Sequence, residues 1–171
     1  MKNSALIIRG VLLLTLSSFS SLSAYALSPV DFSGRWSLDI SKSDTLPGIT
    51  SETLKITQNG NDISIARTME FKDFQPVKGV FNYTIGKRVD SNSKASTNIN
   101  TSAWSDDMQS FSITDVVISE RDGKRQELKR VSTYSLSDNG MTLTIISVDT
   151  LPEGYPVPDN KRLFKQVFVR Q

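Results

Sequence analysis

Apolar and polar residues alternate along most of the chain beyond residue 30. In the first such segment, residues 31–39, Phe32, Trp36 and Leu38 share one parity, and mostly polar residues share the other. Strict alternation is typical of a β-strand with one buried face. The pattern repeats in about nine segments, and none has the period of an amphipathic helix. The chain is therefore predicted to be all-β.

Short polar turns separate the predicted strands. Residues 59–62 (Asn-Gly-Asn-Asp), 121–124 (Arg-Asp-Gly-Lys) and 137–140 (Ser-Asp-Asn-Gly) contain types that accept a positive φ at low cost. Tight hairpins between consecutive strands favour an antiparallel up-and-down meander, and closure into a β-barrel removes its exposed edges. A closed antiparallel barrel needs an even strand number, so we expect about 8–10 strands. The segment with the least certain strand count is 86–108.

Residues 1–26 have a different character. Lys2 and Arg9 precede an apolar run at 11–16. Ala24-Tyr25-Ala26 has the small-x-small form of a cleavage site. The apolar run is too short to span a bilayer. We therefore predict a signal peptide over 1–26 and one domain over 27–171. The mature protein is expected in the periplasm or the extracellular space, with no stable membrane insertion.

Composition excludes several classes of function. Without Lys2 and Arg9 the chain keeps 18 basic residues against 18 acidic ones, a balance that argues against a nucleic-acid partner. The chain has no cysteine and no histidine. Disulfides, His-dependent nucleophilic sites and the commonest ligand of zinc are thus excluded. We expect no metal and no cofactor, and the sequence assigns no catalytic residue.

The segment Phe32-Ser33-Gly34-Arg35-Trp36 contains a Gly-x-Trp motif at the start of the predicted domain. It resembles the opening motif of lipocalins and their calycin relatives. Short motifs over most of 27–171 extend the resemblance to bacterial exported lipocalin-like proteins. The resemblance implies that Trp36 packs at the closed end of the barrel against Arg170, with Arg162 as the alternative. Antiparallel closure independently sets the start of the first strand beside the end of the last.

The predicted strands also supply candidates for an internal ligand site. We expect the small residues on one parity of 95–103 to leave space among larger side chains. We therefore predict a cavity for a small, mostly apolar molecule. The alternative is that large rings fill the gap. The candidate ligand-binding residues are Phe81, Tyr83, Ile85, Ile99, Phe111, Ile113, Tyr134, Leu143 and Ile145.

Two other functions remain open at this level. One is a metal-independent enzyme that uses carboxylates and the tyrosines Tyr83, Tyr134 and Tyr155. Asp115, Glu120 and Glu127 are acids for which the sequence identifies no partner. The other is an envelope interaction or inhibitor protein that acts through its loops.

Two further features bear on the site. Arg67 and Arg130 share their parity with apolar residues, so an inward arginine would meet a carboxylate ligand. A position at a strand end or on the outer face is the favoured interpretation. The similar loops at 44–48 and 149–154 would form a lid if the last strand is even-numbered, with apolar tips at Leu46, Ile49, Leu151 and Tyr155. Chance repetition of the same turn chemistry explains the similarity equally well. The oligomeric state is not predicted.

Overall fold

The computed structural model describes residues 28–93, 95–121, 123–152 and 160–171. The predicted signal peptide, 1–26, and Tyr155 lie outside these residues. Apart from a short 3-10 turn at Ile40–Lys42, the secondary structure described is extended. Its strands are β1 (Gly34–Leu38), β2 (Ile49–Asn59), β3 (Asp62–Phe71), β4 (Val77–Thr84), β5 (Arg88–Asn92), β6 (Ser96–Trp104), β7 (Ser110–Arg121), β8 (Lys124–Leu136), β9 (Thr142–Thr150) and β10 (Lys161–Arg170).

The strands form one antiparallel sheet in the order β4-β3-β2-β1-β10-β9-β8-β7-β6-β5. Each strand pairs with its neighbour in sequence except at β4 and β5, and the pairing of β1 with β10 joins the two halves, with Trp36 opposite Arg170. This topology confirms the predicted all-β, lipocalin/calycin-like up-and-down β-barrel. Residues 86–108 hold both β5 and β6, which accounts for the strand missing from the sequence count. In the described part of the chain, no helix is long and apolar enough to cross a membrane.

Within the described residues, no backbone ladder joins β4 to β5, the two edge strands of the sheet. The turn between them is held to the β2–β3 turn and to β6. Ile85 N donates to Asn61 O at 2.8 Å, and Gly86 N donates to Ser102 O at 2.8 Å. The Trp104 indole adds a hydrogen bond to the Asn61 side chain at 2.9 Å.

The hairpin turns at 59–62, 85–87, 105–109 and 137–140 meet the start of β1 at one end of the barrel, which we call the closed end. Trp36 is fully buried there, and its Nε1 donates to Phe32 O at 3.1 Å. The Arg170 guanidinium lies over the indole, 4.4 Å from the ring centroid. The structure thus places Arg170, and not Arg162, where the resemblance implies a basic partner.

The same guanidinium explains the glycine of the motif. Arg170 donates from Nε to Gly140 O at 2.9 Å and from Nη1 to Ser33 O at 3.0 Å. Gly34 has a φ of +149°, and a Cβ there would lie 3.0 Å from Arg170 Nη1. A side chain would therefore combine backbone strain with a collision.

Aromatic rings fill the closed end. Phe111 contacts Phe32 edge-on, with the ring centroids 4.8 Å apart, and stacks on Tyr134 at 4.5 Å. The half-buried Trp104 packs against the same ring, at 5.6 Å. Tyr134 and Trp104 pack against one hydrophobic core to which Phe32 and Phe111 belong. The core consists of Phe32, Trp36, Leu54, Ile56, Ile63, Ile65, Ile85, Phe111, Ile113, Leu143, Ile145 and Phe168.

Candidate functional site: a cavity with a polar open half

The opposite end, which we call the open end, contains a cavity of about 670 Å³. Its volume falls in the range of small-molecule sites. The apolar part of its wall comes from inward-facing residues of β2, β3, β4 and β9 together with segment 44–49. Among the described residues this part includes Leu46, Ile49, Leu54, Ile65, Met69, Phe81 and Ile145.

Two arginines share one carboxylate in this cavity. Asp149 is fully buried and stands directly opposite Arg130 on one side and Arg162 on the other. Arg130 donates from Nε and Nη2 to the two carboxylate oxygens at 2.6 and 2.9 Å. Arg162 donates from Nη2 at 3.1 Å. We call these three residues the arginine triad, and it carries one surplus positive charge.

The triad is ordered by its surroundings. The Phe164 ring lies between the two arginines, 4.7 Å from the Arg162 guanidinium and 6.0 Å from that of Arg130. The hydrogen bond from Arg130, and then that from Arg162, holds the pKa of Asp149 below its ordinary value of 3.8. Asp149 is therefore ionised at neutral pH, and both guanidiniums keep further N–H groups that can reach a ligand.

A neighbouring acid extends this polar row. Asp115 lines the cavity opposite Arg130 on one side and Asn100 on the other. Asn100 Nδ2 donates to Asp115 Oδ1 at 2.6 Å. Polar side chains thus run across five adjacent strands, from β6 to β10, at one level of the barrel.

A second polar group lies on the β2 and β3 side of the cavity. Glu52 is buried, with 1% of its side chain exposed, and its Oε1 lies 2.7 Å from Arg67 Nε. The N–H is not aligned for a hydrogen bond, so neither atom has a hydrogen-bond partner in the described residues. Gln166 Nε2 donates to Glu52 Oε2 at 3.1 Å. We call Glu52, Arg67 and Gln166 the Glu52 cluster.

Two tyrosines complete the polar lining. Burial, with a smaller contribution from Asp115, raises the pKa of Tyr83 to about 12. Burial also raises the pKa of Tyr134, whose surroundings include Tyr83, Arg67 and Asp115. Both hydroxyls therefore keep their protons at neutral pH. Within the described chain, no side chain or backbone group forms a hydrogen bond with either hydroxyl.

The predicted ligand-binding residues separate into three groups. Phe81, Tyr83, Tyr134 and Ile145 line the cavity. Ile85, Phe111, Ile113 and Leu143 are packed in the core, away from the cavity wall. Ile99 lies on the other face of the sheet.

The position of Ile99 corrects the parity assigned to 95–103. Ser102, which is buried, stands opposite the buried Ile113, so the even-numbered residues of β6 face inward. Ile99 stands opposite Val116 on the outer face. The small residues of the predicted lining therefore do not create the cavity. The cavity lies instead among the polar side chains of the open half.

The favoured interpretation of the two strand arginines is also wrong. Arg67 and Arg130 both reach the cavity, and each meets a buried acid. The acids Glu52 and Asp149 were not identified from the sequence. Their signal was present, because Glu52 shares its parity with Leu54 and Ile56, and Asp149 shares that of Leu143 and Ile145.

The two similar loops lie at the open end, as an even-numbered last strand requires. Thr45, Leu46 and Pro47 line the cavity, with Leu46 about half-exposed. Leu151 is buried, and residues 153–154 of the second loop lie outside the described residues. Within the described part of the chain, no group of three acidic side chains is arranged to hold a metal ion.

Comparison with known proteins gives only distant similarities. No family model matches the chain, and no curated protein matches it significantly. Among solved structures it is similar to the fluorescent protein UnaG, at 12% identity and a TM-score of 0.47 over 82% of this chain and 97% of that one. It is also similar to a secretary abundant heat soluble (SAHS) protein from Ramazzottius varieornatus, at 9% identity and a TM-score of 0.43 over 81% and 94%. At these values the similarity says nothing about ligands.

Proposed function

We propose that the protein is an exported carrier that binds a small amphipathic molecule. The apolar body of the ligand occupies the cavity, and an anionic headgroup contacts Arg130 and Arg162. The observation that carries the proposal is the arginine triad, in which two arginines that line a cavity of ligand size share one buried carboxylate.

The unused donors of the triad favour an anion. Within the described residues, Arg130 donates to Asp149 from Nε and Nη2 and Arg162 donates from Nη2, so each has N–H groups with no other acceptor among those residues. A bound carboxylate would neutralise the surplus charge of the triad. Charge-assisted hydrogen bonds in a partly desolvated site are stronger than neutral ones.

The remaining wall supports an apolar body of limited length. Leu54, Ile65 and Ile145 are buried side chains that line the cavity above the packed core. Met69 adds a flexible apolar surface beside them. An aliphatic or ring-shaped body fits such a lining.

Asp149 and Tyr83 are poorly tuned for catalysis. A general acid or base works best when its pKa lies near the operating pH. The pKa of Asp149 is lowered by its arginines, and burial moves the pKa of Tyr83 up to about 12. Export rests on the pattern of residues 1–26.

The proposal is tested by titrating the chain from residue 27 onward with stearate and with methyl stearate, which has the same body and no charge. Stearate should bind saturably, and the ester roughly 10-fold more weakly or worse. Arg162→Gln should weaken the binding of stearate by a similar factor and leave the affinity for methyl stearate unchanged. Arg125→Gln is the matched control, because Arg125 forms an exposed ion pair with Glu127.

Two results would count against an anion carrier. One is equal affinity for the acid and the ester, and the other is an equal loss in the Arg162 and Arg125 variants. Absence of saturable binding for a series of anionic amphiphiles would remove the carrier function.

A further inference from the structure

We propose that the cavity has a second polar subsite, made by the Glu52 cluster with Tyr83 and Tyr134, and that the ligand carries a hydroxyl or carbonyl group on its apolar body. This inference rests on the proposed carrier function and adds a substrate class to it. The preferred ligand is an oxygenated amphipathic anion, and an unsubstituted one binds less tightly.

The burial of the Glu52 cluster is the first argument. Glu52 is almost completely removed from solvent, yet Oε1 accepts no hydrogen bond within the described residues. The nearest donor, Arg67 Nε, is equally unsatisfied although it lies 2.7 Å away. Buried polar atoms are nearly always hydrogen-bonded, and leaving them unsatisfied is costly. Both atoms are enclosed by protein, so a ligand would meet this ion pair through the rest of the Arg67 guanidinium, since the Arg67 side chain is one-third exposed and lines the cavity.

The two tyrosines are the second argument. Each hydroxyl borders the cavity, and burial keeps each one protonated, so it both donates and accepts. The Tyr134 ring is fixed by its stack on Phe111, with an interplanar angle of 7°. Its hydroxyl therefore has a defined direction before any ligand arrives, which lowers the entropy cost of binding.

The charge of the subsite selects a neutral polar group. Glu52 and Arg67 cancel each other, in contrast to the surplus charge of the arginine triad. A second anion would lose its hydration without a net positive charge to meet, because Glu52 balances Arg67 and Asp115 acts on both tyrosines. A hydroxyl or carbonyl group loses less hydration and can bond to the tyrosines, to Arg67 or to Glu52.

The two subsites lie at different depths of the barrel. On β8, Tyr134 lies four residues beyond Arg130 towards the closed end, and on β10 Gln166 lies four residues beyond Arg162 in the same direction. Arg67 and Tyr83 extend the second subsite onto β3 and β4. A ligand held at the triad would therefore reach the second subsite with a part of its body that lies deeper in the barrel. The oxygen is accordingly expected on the body of the ligand and not beside its headgroup.

The test compares stearate, hydroxystearates with the hydroxyl at different positions near the middle of the chain, and a stearate with a methyl branch there. The methyl branch reproduces the bulk without the hydrogen bond. At the best position, the hydroxyl should tighten binding roughly 5-fold over the methyl branch, the value of about one buried hydrogen bond. Tyr83→Phe and Tyr134→Phe keep the rings, and at least one of them should bring that ratio to about 1. Arg125→Gln should keep the ratio of the native chain.

The outcomes separate the two proposals. If stearate binds and no hydroxystearate binds more tightly than its methyl counterpart, the second subsite is rejected and the carrier function stands. A preference that survives in both tyrosine variants also rejects the subsite as assigned. If neither acid binds saturably, both proposals fall. The ligand series on the native chain decides the question even if a variant does not fold.

Discussion

The two ends of the barrel use the same alternating strands for opposite purposes. At the closed end, the inward positions hold Phe32, Trp36, Phe111 and Phe168, which are fully buried and pack on one another. At the open end, the same parity of the same sheet holds arginines and carboxylates around a cavity. Strand geometry is shared, so the difference lies in side-chain chemistry alone.

This contrast separates stability from binding. Buried aromatic area contributes directly to the free energy of unfolding. Buried ion pairs contribute little net, because desolvation offsets their attraction. The guanidiniums of these pairs also carry more N–H donors than one carboxylate can accept, so donors are available to a ligand. The closed end should therefore hold the fold together, and the open end should tolerate changes that alter binding.

The largest expected effect is at the closed end. Trp36→Ala should lower the free energy of unfolding by roughly 3–5 kcal/mol, since it removes a fully buried ring and the platform of Arg170. Phe164→Ala is the comparison at the open end, where the ring is only partly buried. Denaturant unfolding measures both. If Phe164→Ala lowers the free energy of unfolding as much as Trp36→Ala does, the distinction between the two ends is contradicted.

Asp149→Asn sharpens the comparison because it should move stability and binding in opposite directions. The free energy of unfolding should fall by about 1–3 kcal/mol, less than for a fully buried pair because the two guanidiniums are 44% and 50% exposed. Stearate should bind more tightly, roughly 10-fold, since the triad loses its negative charge and its donors are released. Weaker stearate binding in this variant would contradict the assigned role of the triad.

The contribution of Asp149 should also depend on pH. Its pKa is lowered in the folded state, so its stabilisation is complete well above the ordinary value of 3.8 and is lost as the pH falls below that value and through the folded pKa. The stability gap between the native chain and Asp149→Asn should therefore be constant near neutrality and narrow below about pH 4. Unfolding curves across this range measure the gap. A gap that widens on acidification would show that the carboxylate is not stabilised by the arginines.

A smaller effect is expected from Arg170→Met. The substitution keeps much of the aliphatic stem but removes the contact with the indole and the hydrogen bonds to Ser33 O and Gly140 O. Unfolding should become easier by about 1–2 kcal/mol. Stearate affinity should stay unchanged, since the residue lies at the closed end. A loss of affinity without a loss of stability would reverse the roles of the two ends.

The smallest effect is expected from Arg125→Gln. Arg125 and Glu127 form an exposed pair, and their separation is 3.3 Å. Its removal should change the free energy of unfolding by less than about 0.5 kcal/mol. A larger change, measured by the same unfolding curves, would disqualify the variant as a control.

The closed end was largely predictable from the sequence. Its large apolar residues give a strong contrast between parities, and Gly34 and Trp36 stand at a recognisable spacing. The pairing of the first strand with the last follows from closure of the meander. These signals placed Trp36 beside Arg170 without any coordinates.

The open end was not predictable in the same way. Along β6 both parities are small or polar, so hydrophobicity gave no contrast and Ile99 was assigned to the wrong face. Glu52 and Asp149 follow the inward parity, but an isolated acid is ordinarily exposed. Only the register shows that Asp149 stands between two arginines on neighbouring strands.

The central claim is that the open end binds an ionised headgroup at the arginine triad. Its most direct test is a pH titration of stearate labelled with ¹³C at the carboxyl carbon and bound to the chain from residue 27 onward, followed by NMR. Contact with Arg130 and Arg162 should keep the bound carboxylate ionised through the pH range where free fatty acids take up a proton, so its signal should not shift there. A bound signal that titrates like the free acid would place the headgroup away from the arginines and contradict the account.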